Sequence, residues 1–237
     1  MNESTSLKLS IITINLNNKE GLKKTIESVI NQTFKNFEYI VIDGASTDGS
    51  VDVIKNYQDQ ITHWVSEKDN GIYNAMNKGI KAAKGEYLYF LNTGDVLHTA
   101  STLQNTNSYL GKSDILYGFL EIKEPDRSWV KEYPSVLTFR YFWEDSLPHS
   151  GAVFIRRSCF KGNIYQYDES LKIVADWKWF LIGIFKEGYS YLLIDKIIGI
   201  FDYGKGISST PANWTLLLEE KETVLETEFK YLYSEIK

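Results

Sequence analysis

Tyr39-Ile40-Val41-Ile42-Asp43-Gly44-Ala45-Ser46-Thr47-Asp48-Gly49-Ser50 is an apolar run that passes directly into a polar, turn-forming loop. A short β-branched and aromatic run predicts a buried strand, and two Asp-Gly pairs in quick succession end it. Val51, Ile54 and Tyr57 then recur at helical spacing. The unit is therefore strand, loop, helix. Upstream, residues 9–14 form a second apolar run, followed by Asn17 and Asn18 as helix caps and by Leu22, Ile26, Val29 and Ile30 on one face. Downstream, residues 63–65 predict a third strand. Ile72, Ala75, Met76, Gly79, Ile80 and Ala83 predict a helix, and residues 87–91 a fourth strand stopped by Asn92-Thr93-Gly94-Asp95. Strands separated by helices imply βαβ units and a mostly parallel sheet.

The second half is less regular. Residues 115–119 and 152–155 predict strands, 128–133 an edge or hairpin strand, and 175–185 an apolar helix. Residues 191–194 and 197–201 predict a strand pair. From Asn213 onward, Trp214, Leu217, Leu218, Val224, Leu225 and Leu232 mark one face of a long charged helix. The expected organisation is one α/β domain over residues 1–210 and a helical extension over 211–237. That extension packs on the domain or on a second subunit as a homodimer. Its acidic side (Glu219, Glu220, Glu222, Glu226 and Glu228) disfavours anionic lipid.

Composition narrows the function. The 237 residues carry a net charge of −5, which excludes a sequence-independent grip on nucleic acid. Cys159 is the only cysteine, so neither an intramolecular disulfide nor a thiolate zinc cluster can form, and a reducing cytoplasm is expected. Met1 to Ser6 is polar with no apolar signal segment, and no apolar run reaches bilayer length, so membrane contact is at most peripheral.

In an open parallel sheet ligands bind beyond the carboxyl ends of the strands. Residues 15–18, 43–49 and 92–95 are polar loops at three such ends, and should converge on one edge. Carboxylates there, without a nearby Lys or Arg, suit a metal or the N–H and hydroxyl groups of a nucleotide. Other motif classes are missing: no G-x-G-x-x-G follows the first strand, Gly111-Lys112-Ser113 lacks the earlier glycine of a P-loop, and neither H-E-x-x-H nor G-x-S-x-G occurs.

Three ordered segments resemble inverting family 2 glycosyltransferases, which use the glycosyltransferase A fold. The first is Ser10-Ile11-Ile12-Thr13-Ile14-Asn15, followed by Ser28-Val29-Ile30-Asn31-Gln32-Thr33 and Asp43-Gly44-Ala45-Ser46-Thr47-Asp48-Gly49-Ser50. The second runs from Ser66-Glu67-Lys68-Asp69-Asn70-Gly71-Ile72-Tyr73-Asn74-Ala75-Met76-Asn77-Lys78-Gly79 into Gly85-Glu86-Tyr87-Leu88-Tyr89-Phe90-Leu91-Asn92-Thr93-Gly94-Asp95, and resembles the branch that builds capsule, O-antigen and colanic-acid polysaccharide. The third is Ala175-Asp176-Trp177 with Gly206-Ile207-Ser208-Ser209.

The resemblance implies a cytoplasmic enzyme, acting as far out as the inner face of the plasma membrane. It would move a sugar from a nucleotide diphosphate donor, expected to be UDP-linked, to a saccharide or lipid-linked saccharide acceptor with inversion. Thr13, Asn15 and Asp43 would hold the uridine end, with Asp69, Gly71 and Asn77 near the nucleotide-sugar. Asp95 matches the last carboxylate of the family's D-x-D motif and would bind Mg²⁺ or Mn²⁺. This chain has Asn92 and Gly94 where many members are acidic, which makes His149 a candidate supplementary ligand. Asp176 matches the general base. Two other readings stay open at this point: a sugar-nucleotide nucleotidyltransferase, and a non-catalytic carbohydrate-binding relative.

Overall fold

The computed structural model describes residues 7–161, 166–203 and 210–236. Met1 to Ser6 and the Gly206-Ile207-Ser208-Ser209 segment lie outside them. Among the described residues nine strands form one sheet in the order β3-β2-β1-β4-β8-β6-β9-β5, with β7 paired to β6.

The first half follows its pattern closely. β1 (Leu9–Asn15), β2 (Phe37–Asp43), β3 (His63–Ser66) and β4 (Tyr87–Phe90) pair in parallel. Between them run α1 (Lys19–Ile30), α2 (Ser50–Asn56) and α3 (Ile72–Ala82). Asn18 caps α1, its side chain accepting from the Gly21 N–H. Beyond β4 come β5 (Val96–Leu97), α4 (Thr102–Thr106), β6 (Ile115–Lys123), β7 (Ser128–Lys131), α5 (Phe139–Glu144) and β8 (Val153–Arg156). β8 runs antiparallel between β4 and β6, so its amino end lies at the carboxyl end of β4.

The alternation of side chains along β1, β2 and β4 builds two cores. Ile12, Ile40, Leu88 and Phe90 face α3 and α6 (Ala175–Phe185), whereas Ile11, Tyr39, Val41 and Tyr89 face α1 and α2. This is one α/β domain with helices on both faces of its sheet.

Two expectations are corrected. Residues 191–201 are not a strand pair but one strand, β9 (Tyr191–Asp202), parallel to β6 with a register irregularity near Phe119. A bulge absorbs the polar Asp195 and Lys196, which on sequence read as a break. The C-terminal segment is two helices, α7 (Trp214–Glu228) and α8 (Lys230–Ile236), separated at the buried Phe229. Val224 and Leu225 pack into the core that contains α6, while Trp214 and Leu218 stay exposed.

Candidate functional site

β1, β2, β4 and β9 point their carboxyl ends to one edge, and the polar loops meet there. Asn15 and Asp43 are register partners. Asp43 Oδ1 accepts from Asn15 Nδ2 at 2.7 Å and Ser46 Oγ at 2.6 Å; its Oδ2 accepts from the Ser46 N–H at 3.0 Å and Ser66 Oγ at 2.6 Å. Burial pushes the Asp43 pKa up, but the hydrogen bonds from Ser46, Ser66 and Asn15 together outweigh it and hold the carboxyl below its ordinary range. Its role in the fold is thus to shape the loop. Asn17 and Ala45 hold left-handed backbone at φ 49° and 60° in these two loops, strain that persists where the surroundings enforce it.

Asn15 Oδ1 is buried and has no hydrogen-bond partner among the described residues; the same holds for Asn92 Oδ1 after β4. Two orphaned acceptors at one sheet edge call for donors or a cation from a ligand. Asp69 lies against Gly44 and pairs with Lys78, whose ammonium also meets Glu67 at 2.8 Å. Gly71 opens α3 at φ 124°, a conformation only glycine adopts without strain.

Asp95 is 5 % exposed and sits after the turn that ends β4. Burial pushes its carboxyl up to about 7, opposed by the Ser150 hydroxyl and a backbone hydrogen bond from Asp202, and reinforced by the Asp202 charge. Ser150 Oγ donates to Asp95 Oδ2 at 2.5 Å. Thr25 on α1 anchors the turn, accepting from the Gly94 N–H and donating to the Asp95 carbonyl. Asp202, at the end of β9, thereby places a second carboxylate beside Asp95. Sequence reading missed it because β5 and β9 bring the two together across about a hundred residues with no local motif; the acidic end of an apolar strand was its one signal. Asp95 and Asp202 are carboxylates of the kind that hard divalent cations take, and Asn92 belongs to the same turn as Asp95. Among the described residues no group of three or more His, Cys, Asp or Glu side chains gathers.

Three predicted residues lie inside the scaffold. Thr13 is fully buried; its Oγ1 donates to the Leu91 carbonyl at 2.8 Å and accepts from Tyr39 Oη at 3.0 Å. Asn77 bonds both the Tyr167 carbonyl and N–H, and Glu169, so it neither faces solvent nor points to the strand ends. His149 Nε2 pairs with Tyr167 Oη at 2.7 Å and its ring lies 4.6 Å from that of Phe90. Burial lowers the His149 pKa against the pull of Asp176. His149 therefore supports the site from beneath.

Asp176 occupies the first turn of α6. Tyr73 Oη lies 2.8 Å from its Oδ1 and 2.5 Å from the Ile173 carbonyl, sharing one proton between them. Burial and the Asp176 charge raise the Tyr73 pKa well above its ordinary value, which keeps the phenol a donor.

The sequence profile described as glycosyl transferase family 2 matches residues 10–169. A PGL/p-HBAD biosynthesis glycosyltransferase of Mycobacterium tuberculosis is 30 % identical over 174 residues, covering 71 % of this chain and 66 % of the relative. The poly(ribitol-phosphate) beta-N-acetylglucosaminyltransferase TarP of Staphylococcus aureus is 36 % identical over 132 residues, 52 % of this chain and 40 % of that protein. The crystal structure of S. aureus TarS with UDP-GlcNAc superimposes with a TM-score of 0.68 at 20 % identity, covering 84 % of this chain and 59 % of that one. The chain thus spans about two thirds or less of the length of these relatives.

Proposed function

The chain belongs to glycosyl transferase family 2, and from that premise we propose that it transfers a sugar from a UDP-linked donor to an acceptor hydroxyl with inversion. The observation that carries this reading is the gathering of Asn15, Asp43, Asp69, Asp95 and Asp202 at the strand ends, with Asp176 oriented by Tyr73 at 2.8 Å. UDP-GlcNAc bound by TarS, a protein of the same fold, supports a UDP donor.

Asn15 Oδ1 offers an acceptor to the donor's N–H or hydroxyl groups, inside the loop that Asp43 shapes. Asp69 and Gly71 line the approach from α3. Asp95 and Asp202 would hold Mg²⁺ or Mn²⁺, which supplies positive charge against the leaving diphosphate. Asp176 takes the acceptor proton as the acceptor oxygen bonds to the anomeric carbon. The bond from that carbon to the diphosphate oxygen breaks on the opposite face, UDP leaves with the electron pair, and the centre inverts.

The acceptor is a saccharide or lipid-linked saccharide of the bacterial surface, supported by the wall polymer in the name of TarP. We place the reaction in the cytoplasm or at the inner membrane face. Among the described residues no helix is long and apolar enough to cross a membrane. Exposed Trp214 and Leu218 support a homodimer contact through the C-terminal helices.

The test is UDP release from a panel of UDP-sugars with Mn²⁺, comparing the parent with Asp95→Ala and Asp176→Asn. The parent should turn over in a metal-dependent way, and Asp176→Asn should bind UDP without turnover. Equal, metal-independent release by all three would overturn the assignment.

A further inference from the structure

Glu220 lies on α7, among the acidic residues that a helix of this composition would normally turn to solvent, yet it is only 8 % exposed. Its carboxylate accepts from three consecutive peptide N–H groups: Lys172 at 2.6 Å to Oε1, and Ile173 at 2.9 Å and Val174 at 3.2 Å to Oε2. Val174 is the N-cap residue of α6, and its own side chain makes no capping hydrogen bond. A buried carboxylate is tolerated only where donors satisfy it, and charge-assisted bonds to a run of backbone amides are among the stronger ones. The negative charge also complements the amino end of α6.

Two residues after that capped position stands Asp176. The next helical residue, Trp177, is held by its indole N–H on the Phe142 carbonyl at 2.8 Å, and carries the Lys221 ammonium 4.8 Å from its ring centroid. α7 therefore touches the start of α6 on both sides of Asp176, through neighbouring residues of one turn. Tyr73 completes the frame, since it bonds the carbonyl of the same Ile173 whose N–H meets Glu220.

We propose that Glu220 is a positioning residue for Asp176: by gathering the amides of residues 172–174 it fixes the first turn of α6, and with it the direction in which the base presents its carboxylate. This rests on the reading of Asp176 as the general base. The extension of residues 211–237 then serves the catalytic unit of residues 1–210, as a brace supplied from the far end of the chain.

The experiment compares UDP release from the best-turned-over UDP-sugar of the panel, with UDP affinity by calorimetry and Tm, in Glu220→Ala, Glu220→Gln, Val224→Ala and Asp176→Asn. Val224 is a buried α7 residue of the same core whose apolar side chain makes no hydrogen bond to the amides of residues 172–174. Misplacing a reacting group by an ångström can cost up to a hundredfold in rate, so kcat of Glu220→Ala should fall about tenfold or more with UDP affinity unchanged. Glu220→Gln keeps the shape and one acceptor oxygen and should recover part of that loss. Val224→Ala should lower Tm while keeping kcat. If Glu220→Ala does not fold, Glu220→Gln decides by the same readout. Unchanged kcat in folded Glu220 variants, or an equal loss in Val224→Ala, overturns the proposal. Activity retained by Asp176→Asn would instead remove the base assignment beneath it.

Discussion

Tyr73 Oη and Asp176 Oδ1 lie 2.8 Å apart, joining the first turn of α3 to the first turn of α6 across 103 residues of sequence. In the proposed reaction the strand-end loops would hold the donor and Asp176 would serve the acceptor, and this contact would tie the two sides, because α3 begins just after Gly71, close in sequence to Asp69. Removing the phenol should therefore affect chemistry more than binding. For Tyr73→Phe we expect kcat to fall with UDP affinity unchanged, and stability to drop by about 1–3 kcal/mol as the buried Ile173 carbonyl and the part-buried Asp176 carboxylate lose their donor. Steady-state kinetics and urea unfolding measure the two effects.

Asp43 satisfies four donors with two oxygens. In Asp43→Asn an amide NH₂ would face donors that need an acceptor. The expected outcome is a loss of about 1–3 kcal/mol in stability, with UDP binding weakened because the loop shaped by Ser46 relaxes. Calorimetric titration with UDP checks the second part. Unchanged binding with lowered stability would confine Asp43 to the scaffold.

Asp95 gives a pH dependence whose sign is fixed by its burial. The folded pKa is about 7 against an ordinary value of 3.8, so the folded protein keeps a proton that the unfolded chain has lost. The stability from this group is fully present below about pH 4 and is lost as pH rises through 7, by up to roughly 4 kcal/mol. A divalent cation held by this carboxylate, as proposed, would compete with that proton. Mn²⁺ should therefore raise Tm more at pH 8 than at pH 5.5, and Asp95→Asn should flatten both dependences.

Gly199, on β9, lies so close to the segment before β8 that an added Cβ would collide with the Gly151 carbonyl oxygen. Gly151 follows Ser150, the donor to Asp95. Gly199→Ala should cost on the order of 1–3 kcal/mol through overpacking against backbone. It should also shift the pH midpoint of the Mn²⁺ effect, because Ser150 moves relative to Asp95. Thermal melts across pH report both.

What the sequence made legible follows the range of its interactions. In the first half each strand, cap and helix face is set by residues within one turn or one loop, and the elements lie where Ile40, Asn18 and Met76 predict them. The strand-end loops that carry Asp43 and Asp95 were legible for the same reason. The misses all depend on distant partners. β5 is two residues long and exists because β9 pairs with it. Glu220 reads as a solvated helix charge, and only the amides of residues 172–174 make it buried. His149 sits in a loop by sequence, and Tyr167 and Phe90 draw it inside. Asp202 joins Asp95 only through the register of β5 and β9.

The central claim is that the strand ends around Asp95 hold a nucleotide diphosphate and a divalent cation together. Crystals grown with UDP and Mn²⁺, measured at the manganese absorption edge, test it most directly. The account predicts an anomalous peak in contact with both the Asp95 carboxylate and the diphosphate, with the uracil ring near Asn15. A diphosphate bound elsewhere, or manganese that leaves Asp95 untouched while UDP occupies the strand ends, would contradict it.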